Sequence, residues 1–176
     1  MTIENTPVQL RPLTPADFGT VYAWSQDEEF CLATGWTPNL TRAQIERSWG
    51  RILGEIGADF LRLGIEAGGK LIGYVDLAEI EQEVGRAELG IAIGERSLWG
   101  RSLGFAAGRL MLEHGFAHLG LTRVTAEVHA PNSRSLALMR RLGFVQEGVL
   151  RRHEMYRGGV VDVVLFGIVR DEFVEL

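Results

Sequence analysis

The most constraining feature of this sequence is a strand that runs into a glycine-containing loop and then into a helix. Residues 88–93 form the strand, and Trp99-Gly100-Arg101-Ser102-Leu103-Gly104 leads into a helix predicted to end near Leu119. The first amides of a helix have no partner within it, and the helix dipole adds partial positive charge there. Glycines let such a backbone approach an anion closely. The junction predicts a phosphate site, although a turn that merely redirects the chain explains the same residues equally well.

The hydrophobic pattern predicts one α/β domain over residues 1–176, built on an α+β mixed sheet. A strand at 8–13 precedes two helices, at 15–26 and 41–57. The remaining predicted strands lie at 60–66, 71–78, 88–93, 123–129, 144–150 and 160–169, with helices near 103–119 and 133–142. The order β-αα-βββ-α-β-α-ββ is typical of helices packed on a single sheet.

Composition excludes several classes of protein. The chain has 46% hydrophobic and 23% charged residues, which are globular values. No apolar run approaches the about twenty residues of a membrane span, and the first residues show no signal-peptide pattern, so we expect no membrane partner. The net charge of -5 argues against nucleic acid as a partner. The single cysteine, Cys31, fits a reducing cytoplasm.

The charges are unevenly distributed. Residues 134–157 hold six arginines and two acids, whereas residues 1–60 hold eight acids and four arginines. A basic segment inside an acidic protein suggests an anionic ligand, and a solvated helix face is the equal alternative.

Two further segments carry side chains suited to acid–base chemistry. Asn132 follows a strand and is a good N-cap for the next helix, which places Ser135 near the end of that strand. Capping alone explains Asn132, and plain surface would explain Ser135. The run Arg151-Arg152-His153-Glu154 offers an imidazole and a carboxylate as bases, for which a charged rim is the simpler explanation.

The order and spacing of these segments resemble the GNAT N-acetyltransferase superfamily. Its motif A is similar to Glu88-Leu-Gly-Ile-Ala-Ile-Gly with residues 99–104, and its motif B to Asn132-x-x-Ser135 with Arg141-Leu142-Gly143-Phe144. Three further segments resemble the ribosomal-protein N-acetyltransferase (RimJ/RimL-like) branch of this superfamily. They are Glu147-Gly148-Val-Leu150-Arg151, Gly158-Gly159-Val-Val-Asp162-Val, and Asp27 with Gly35-Trp36-Thr37-Pro38. The resemblance covers nearly the whole chain.

The resemblance implies a sheet splayed between the strands near 88–93 and 123–129, with acetyl-CoA in the cleft and no metal. The implied cofactor residues are Ile91, Ala92 and Ile93 for the pantetheine, the amides of Trp99, Gly100, Arg101, Ser102, Leu103 and Gly104 for the pyrophosphate, Asn132 and Arg141 at the pantetheine and phosphate ends, and Ser135 at the thiol.

One position departs from the family pattern [QR]-x-x-G-x-[GA]. In the alignment without a gap through the helix, Ser102 stands where the pattern has its first glycine. A second register, Arg101-x-x-Gly104-x-Ala106, matches the letters better but shifts the helix by two residues. We prefer the ungapped register, in which a side chain stands where none is usual and the backbone donors are kept.

The resemblance also implies direct transfer of an acetyl group to a primary amine. An alkyl ammonium, with a pKa of about 10.4, must lose a proton before it attacks a thioester. In one group of RimL-type enzymes a motif B serine and a glutamate nineteen residues later are the suspected acid and base, and here those positions are Ser135 and Glu154. We expect Glu154 to act as base and Ser135 to protonate the thiolate, with Glu88 as reserve base and His153 as a weaker one. Direct attack needs only proximity, so no acyl-enzyme is expected.

The acceptor is expected near the first two helices, beside Trp24, Phe30 and Trp36, unless these aromatics are only core. The acids of residues 1–60 suit a cationic amine, which leaves a protein N-terminal α-amine, a small cationic amine and an aminoglycoside as candidates. A non-catalytic acyl-CoA-binding or interaction module is the alternative from another class. The family also makes a homodimer one of the assemblies to expect.

Overall fold

A seven-stranded sheet forms the centre of the computed structural model, which describes residues 7–54 and 57–174. The strands are β1 (Val8–Arg11), β2 (Leu61–Ala67), β3 (Lys70–Glu81), β4 (Arg86–Ile93), β5 (Arg123–His129), β6 (Val145–Tyr156) and β7 (Gly159–Val169). Their order across the sheet is β1-β2-β3-β4-β5-β7-β6. Neighbouring strands are antiparallel except β4 and β5, which run parallel. The mixed α/β class predicted from the sequence is confirmed.

Five helices accompany the sheet: α1 (Phe18–Ser25), α2 (Glu28–Thr34), α3 (Arg42–Gly54), α4 (Leu103–Ala117) and α5 (Ser133–Arg141). Short 3-10 turns lie at Pro15–Asp17, Arg96–Leu98 and Arg170–Glu172. The sequence predicts the first helix from residue 15, and its opening turn is the first of these 3-10 segments. The predicted end of the second helix, at residues 55 and 56, lies outside the described residues.

Helix α2 corrects the predicted element order, because three helices rather than two follow β1. It has only seven residues, and helices this short need tertiary contacts to be stable. The Asp27 carboxylate accepts a hydrogen bond from the Phe30 amide at 3.1 Å, and Gly35 ends the helix with a φ of 74°. Phe30 and Cys31 are fully buried. Packing of its buried side chains therefore stabilises this helix, and hydrophobic periodicity along the sequence does not reveal such packing.

Strand β6 is longer than predicted, because it continues to Tyr156 instead of ending at residue 150. The charged run 151–154 has no hydrophobic alternation, so the sequence gives no strand signal there. In the structure a bulge interrupts the pairing with β7: Leu150 pairs with Val163, and Glu154 pairs with Val161. Pairing with a hydrophobic neighbour thus extends a strand that its own composition does not indicate.

The two faces of the sheet are covered differently. On one face α4 contributes the fully buried Met111 and Leu112, which belong to the same core cluster as Phe166 of β7. Complete burial of such a side chain contributes about 1.5–3 kcal/mol. On the other face, the first helices pack Trp24 and their other apolar residues against Tyr74 of β3. That second cluster covers only the β3–β4 end, so the same face is open near β5.

The parallel strands β4 and β5 pair over three residues only. Arg86, Ala87 and Glu88 are opposite residues 123–125, and Glu88 with Thr125 is the last pair. Beyond this point residues 89–93 stay paired with β3, and residues 126–129 stay paired with β7. The two strands therefore part, and the splayed sheet predicted from the sequence is confirmed.

Candidate active site

A cavity of about 310 Å³ lies where β4 and β5 part, between the second half of β4, the start of α4, α5 and the end of α2. Its volume is at the lower end of the range for small-molecule sites. Every residue that the resemblance implies for the cofactor lines it: Ile91, Ala92, Ile93, Trp99, Gly100, Arg101, Ser102, Leu103, Gly104, Asn132, Ser135 and Arg141. Helix α2, which the sequence analysis misses, adds Ala33 and Thr34.

In the loop before α4, Ser102 adopts a backbone conformation that favours glycine. Ser102 has a φ of 61° and a ψ of 8°, in the left-handed region that costs a non-glycine residue about 1–2 kcal/mol. Its side chain makes no capping hydrogen bond to α4. Instead its hydroxyl accepts a hydrogen bond from Nη1 of Arg141 at 3.2 Å. The first amides of α4 therefore keep their capacity to bind an anion.

Two arginines of α5 reach across the cavity to the opposite wall. The guanidinium of Arg134 lies 4.0 Å from the centroid of the Trp99 ring, and that of Arg141 lies 4.6 Å from the Phe105 ring. The Trp99 indole N–H donates to the Ile93 carbonyl at 2.7 Å, which ties the loop to the end of β4. These contacts give the helical side of the cavity a positive charge suited to phosphate groups.

Asn132 performs the capping role that the sequence predicts. Its Oδ1 accepts a hydrogen bond from the Ser135 amide at 3.1 Å, at the first turn of α5. The cap fixes the start of this helix on the cavity wall, with Ser135 half-buried there.

Carboxylates lie on the other face of the sheet at the same point. Paired strand residues share a face, so Glu88 and Thr125 lie on one side, and alternation along β5 adds Glu127. Glu88 is half-buried, and burial is the largest cause of its raised pKa. Three carboxylates raise that pKa further through their negative charge: Glu127, Glu79 and Glu154.

The partner of Glu154 is His129, a residue that the sequence analysis misses. The His129 Nε2 lies 2.8 Å from Glu154 Oε2, and its ring stacks on Tyr156 with centroids 4.4 Å apart. Tyr156 is buried, so it fixes the plane of the imidazole. Alternation of Thr125, Glu127 and His129 along β5 was an available signal for the face. The contact with β6 was not available, because it depends on the register of three strands.

The two groups predicted to carry the acid–base chemistry lie on different elements, Ser135 on α5 and Glu154 on β6. Ser135 lines the cavity, whereas Glu154 lies with His129 on β6 and β5. In the part of the chain that the structure describes, no hydrogen bond joins Ser135 to Glu154. His153 lies in the bulge of β6 and is exposed. Their roles in catalysis stay predictions.

The three aromatic residues expected at the acceptor do not share one environment. Trp24 is 5% exposed and Phe30 is 0% exposed, so both serve as core and offer no surface to an acceptor. Trp36 is half-buried, and its indole N–H donates to the Tyr74 hydroxyl at 2.9 Å. Burial raises the pKa of Tyr74, which keeps that hydroxyl protonated. Contact with an acceptor stays a prediction for Trp36 alone.

The described residues do not bring together three or more His, Cys, Asp or Glu side chains in a set that could hold a metal ion. Of the helices in the described ranges, none has the length and hydropathy that crossing a bilayer requires.

Comparison with known proteins decides the family. A family model described as an acetyltransferase (GNAT) domain matches residues 8–145. The chain belongs to the GNAT acetyltransferase family. The resemblance of motifs A and B is thereby confirmed for the superfamily.

Similar proteins include enzymes that act on small amines. An uncharacterized N-acetyltransferase, p20 of Bacillus licheniformis, is 36% identical over 104 residues, which cover 59% of this chain and 58% of that protein. The spermidine N(1)-acetyltransferase of Escherichia coli K12 is 34% identical over 98 residues, 56% of this chain and 52% of that enzyme. The matched region thus spans less than two thirds of either relative. A spermidine N-acetyltransferase from Vibrio cholerae, solved with CoA and spermine, has the same fold with a TM-score of 0.85 at 22% identity, over 96% of this chain and 98% of that one.

Proposed function

We propose that this protein is an N-acetyltransferase that moves an acetyl group from acetyl-CoA to a primary amine of a small cationic acceptor. The observation that carries the proposal is the distribution of charge where β4 and β5 part. The helical side of the cavity carries Arg134 and Arg141, and the other face of the sheet carries Glu88, Glu127 and Glu154. An anionic cofactor and a cationic amine would meet there from opposite sides.

The cavity fits acetyl-CoA in its chemistry. The start of α4 and Arg141 suit the pyrophosphate, because uncapped amides and a guanidinium both donate to phosphate oxygens. Residues 90–93 pair with β3 but have lost β5, so their free edge would take the amides of the pantetheine arm. Ile91 and Ile93 give that arm an apolar wall. When bound, acetyl-CoA supplies the thioester carbonyl that the amine attacks.

The acceptor class follows from the carboxylates on the open face. A polyamine carries several ammonium groups at spacings of a few carbons, and separated carboxylates can bind the ammonium groups that do not react. Glu127 and Glu154 are exposed and Glu88 is half-buried, so the set extends from the cleft to the surface. The relative from Escherichia coli acts on spermidine, which supports the same class for this chain.

Proton transfer is assigned to residues on both sides of the cleft. Glu154, held by His129, would take a proton from the acceptor ammonium so that the free amine can attack, and Ser135 on the cavity wall would protonate the departing thiolate. Glu88 is the reserve base. Its raised pKa suits that role, because a base works best when its pKa approaches the working pH.

Thiol release from acetyl-CoA, measured with a panel of acceptors, tests the proposal. The panel contains spermidine, an aminoglycoside, a peptide with a free N-terminus, and glutamate as an anionic amine. We expect kcat/KM to be highest for spermidine. Glu154→Gln should lower kcat by about 10²–10⁴, the usual contribution of a general base, and leave acetyl-CoA affinity unchanged. Glu113→Gln, at an exposed site on α4, is the matched control and should keep full activity.

Each outcome of the panel separates the alternatives. Preference for the peptide would favour an N-terminal acetyltransferase of the RimJ/RimL-like branch, which the tail motifs resemble. Preference for glutamate would contradict the cationic acceptor. Binding of acetyl-CoA without turnover on any amine would favour a non-catalytic acyl-CoA-binding module. Full activity of the Glu154→Gln variant would remove Glu154 as base and leave Glu88 to be tested in the same way.

A further inference from the structure

We infer that Asp162 is a positioning residue that holds the base and the thiolate donor in register across β7. The inference rests on the proposed function, because it concerns the roles of Glu154 and Ser135 given above. It starts from the bulge in β6, a feature that the catalytic roles do not themselves explain.

The bulge decides which side chain of β6 faces the cleft. Leu150 pairs with Val163 and Glu154 with Val161, so residues 151–153 stand opposite Asp162 alone. Regular antiparallel pairing from Leu150 onward would put Arg152 opposite Val161 instead. The bulge thus places a carboxylate where an unbulged strand would place a guanidinium. Re-aiming a side chain in this way is a common use of bulges next to active sites.

The side chain of Asp162 stabilises this bulge. Arg152, the central bulged residue, has a φ of 49°, a backbone conformation that residues other than glycine rarely adopt. Its amide cannot join a regular ladder, and it donates to Asp162 Oδ1 at 2.7 Å. Within residues 7–54 and 57–174, Asp162 forms no salt bridge, although Arg151 and Arg152 are its neighbours across the strand pair. Among the described residues, the Asp162 side chain therefore serves the Arg152 backbone and not an arginine side chain.

The main chain of Asp162 is hydrogen-bonded to the segment that leads to Ser135. Its carbonyl accepts a hydrogen bond from the Ala130 amide at 2.8 Å, directly after β5. The His129 carbonyl accepts from the Asn132 amide at 2.8 Å, and Asn132 Oδ1 accepts from the Ser135 amide. A series of hydrogen bonds thus leads from Asp162 to the helix start that carries Ser135.

The bulge in β6 and the hydrogen bonds after β5 both bear on one pair of side chains, Glu154 and His129. Glu154, placed by the bulge, meets His129, whose position is set by the end of β5. Asp162 lies between the two, on the central strand of the three. A substitution of the Asp162 side chain leaves its carbonyl in place, so it should move Glu154 relative to Ser135 and leave the cavity walls where they are.

Two substitutions at Asp162 separate the effect of its hydrogen bond to Arg152 from the effect of its charge. Asp162→Asn keeps the Oδ1 acceptor and removes the charge, whereas Asp162→Ala removes both. We expect the asparagine variant to keep nearly full kcat and the alanine variant to lose about 10²-fold, as a misplacement near 1 Å does. Acetyl-CoA affinity should be unchanged in both. Asp162→Ser, which is polar but shorter, replaces the alanine variant if that protein does not fold.

Amide hydrogen exchange provides a second readout that does not depend on activity. The Arg152 amide should be protected in the wild type and in Asp162→Asn, and should exchange faster in Asp162→Ala. Equal protection in all three proteins, full kcat in the alanine variant, or equal kcat loss in both variants would overturn the inference. If the wild type acetylates no amine, the proposed function fails, and exchange at Arg152 still decides whether Asp162 holds the bulge.

Discussion

Two glycines one turn apart in α4 should respond to the same substitution with opposite changes in stability. Gly104 and Gly108 both face β4, and both lie beside Ile91. Replacing a helical glycine by alanine stabilises the folded state by about 0.5–1 kcal/mol, because alanine loses less backbone freedom on folding. The surroundings of the added methyl group decide whether that gain survives.

The structure gives the magnitude at each position. A Cβ at Gly104 would lie 3.5 Å from Leu138 Cδ2 and 3.8 Å from Ile91 Cγ2, which are ordinary contacts beside the cavity. Gly104→Ala should therefore be stabilised by about 0.5–1 kcal/mol. A Cβ at Gly108 would lie 2.8 Å from Leu142 Cδ1 and 2.9 Å from Ile91 Cδ1, too close without movement of packed side chains. Overpacking costs about 1–3 kcal/mol, so Gly108→Ala should lose about 1 kcal/mol net.

Thermal and urea unfolding of the two variants measure these changes. For a chain of this size 1 kcal/mol moves the Tm by about 2–4 °C, so the two variants should differ by several degrees. If Gly104→Ala and Gly108→Ala shift the Tm in the same direction, the contrast between an open cavity and a packed interior is wrong.

A larger residue at Gly104 tests whether acetyl-CoA binds in this cavity. Leucine is a good helix former, so Gly104→Leu should keep α4, while its side chain occupies space lined by Ile91, Ile93 and Leu138. We expect acetyl-CoA to bind at least tenfold more weakly, a loss of about 1.4 kcal/mol, by isothermal titration. Wild-type affinity in Gly104→Leu would contradict the placement of the cofactor in this cavity.

Three further substitutions at two positions test charge and backbone geometry. Hydrogen bonds and charge from Arg11 lower the pKa of Asp17, so this carboxylate stabilises the fold above its unfolded pKa of about 3.9 and stops doing so as the pH falls through its lower folded value. Asp17→Asn should therefore be less stable than the wild type at pH 7, and in melting curves the gap should narrow as the pH falls below the unfolded pKa of about 3.9. Ser102→Gly should change the free energy of unfolding by less than about 1 kcal/mol, because relief of the left-handed conformation is offset by the entropy of glycine. Ser102→Val should lose more than 1 kcal/mol in urea unfolding, since a β-branched residue tolerates that conformation poorly.

Local signals account for the parts of the fold that the sequence predicts well. The predicted bounds of β5 are those observed, because a β-branched run lies between a turn and Pro131. Helix α5 begins after its predicted cap, Asn132, and the glycine at 143 follows its end. The motif A residues expected at the cofactor line one cavity, because a strand, a loop and a helix in sequence leave few ways to fold.

Contacts between distant segments account for what the sequence does not reveal. Helix α2 depends on burial of Phe30, and the contact of His129 with Glu154 depends on the register of three strands. The bulge in β6 depends on a hydrogen bond between Arg152 and Asp162. No pattern of hydrophobic or charged residues within one segment specifies these features, because each requires the partner segment to be already in place.

The parting of β4 and β5 offers a physical reason why one acidic protein could serve both an anionic cofactor and the cationic acceptor proposed here. A sheet closed at this point would separate its two faces completely. Because pairing stops after Glu88 and Thr125, the two strands part at the point where the thioester would lie. Arg134 and Arg141 stay on the helical side, and Glu88 and the other carboxylates stay on the open side. Charges of opposite sign that mixed on one face would pair with each other, so keeping them apart preserves both for their ligands.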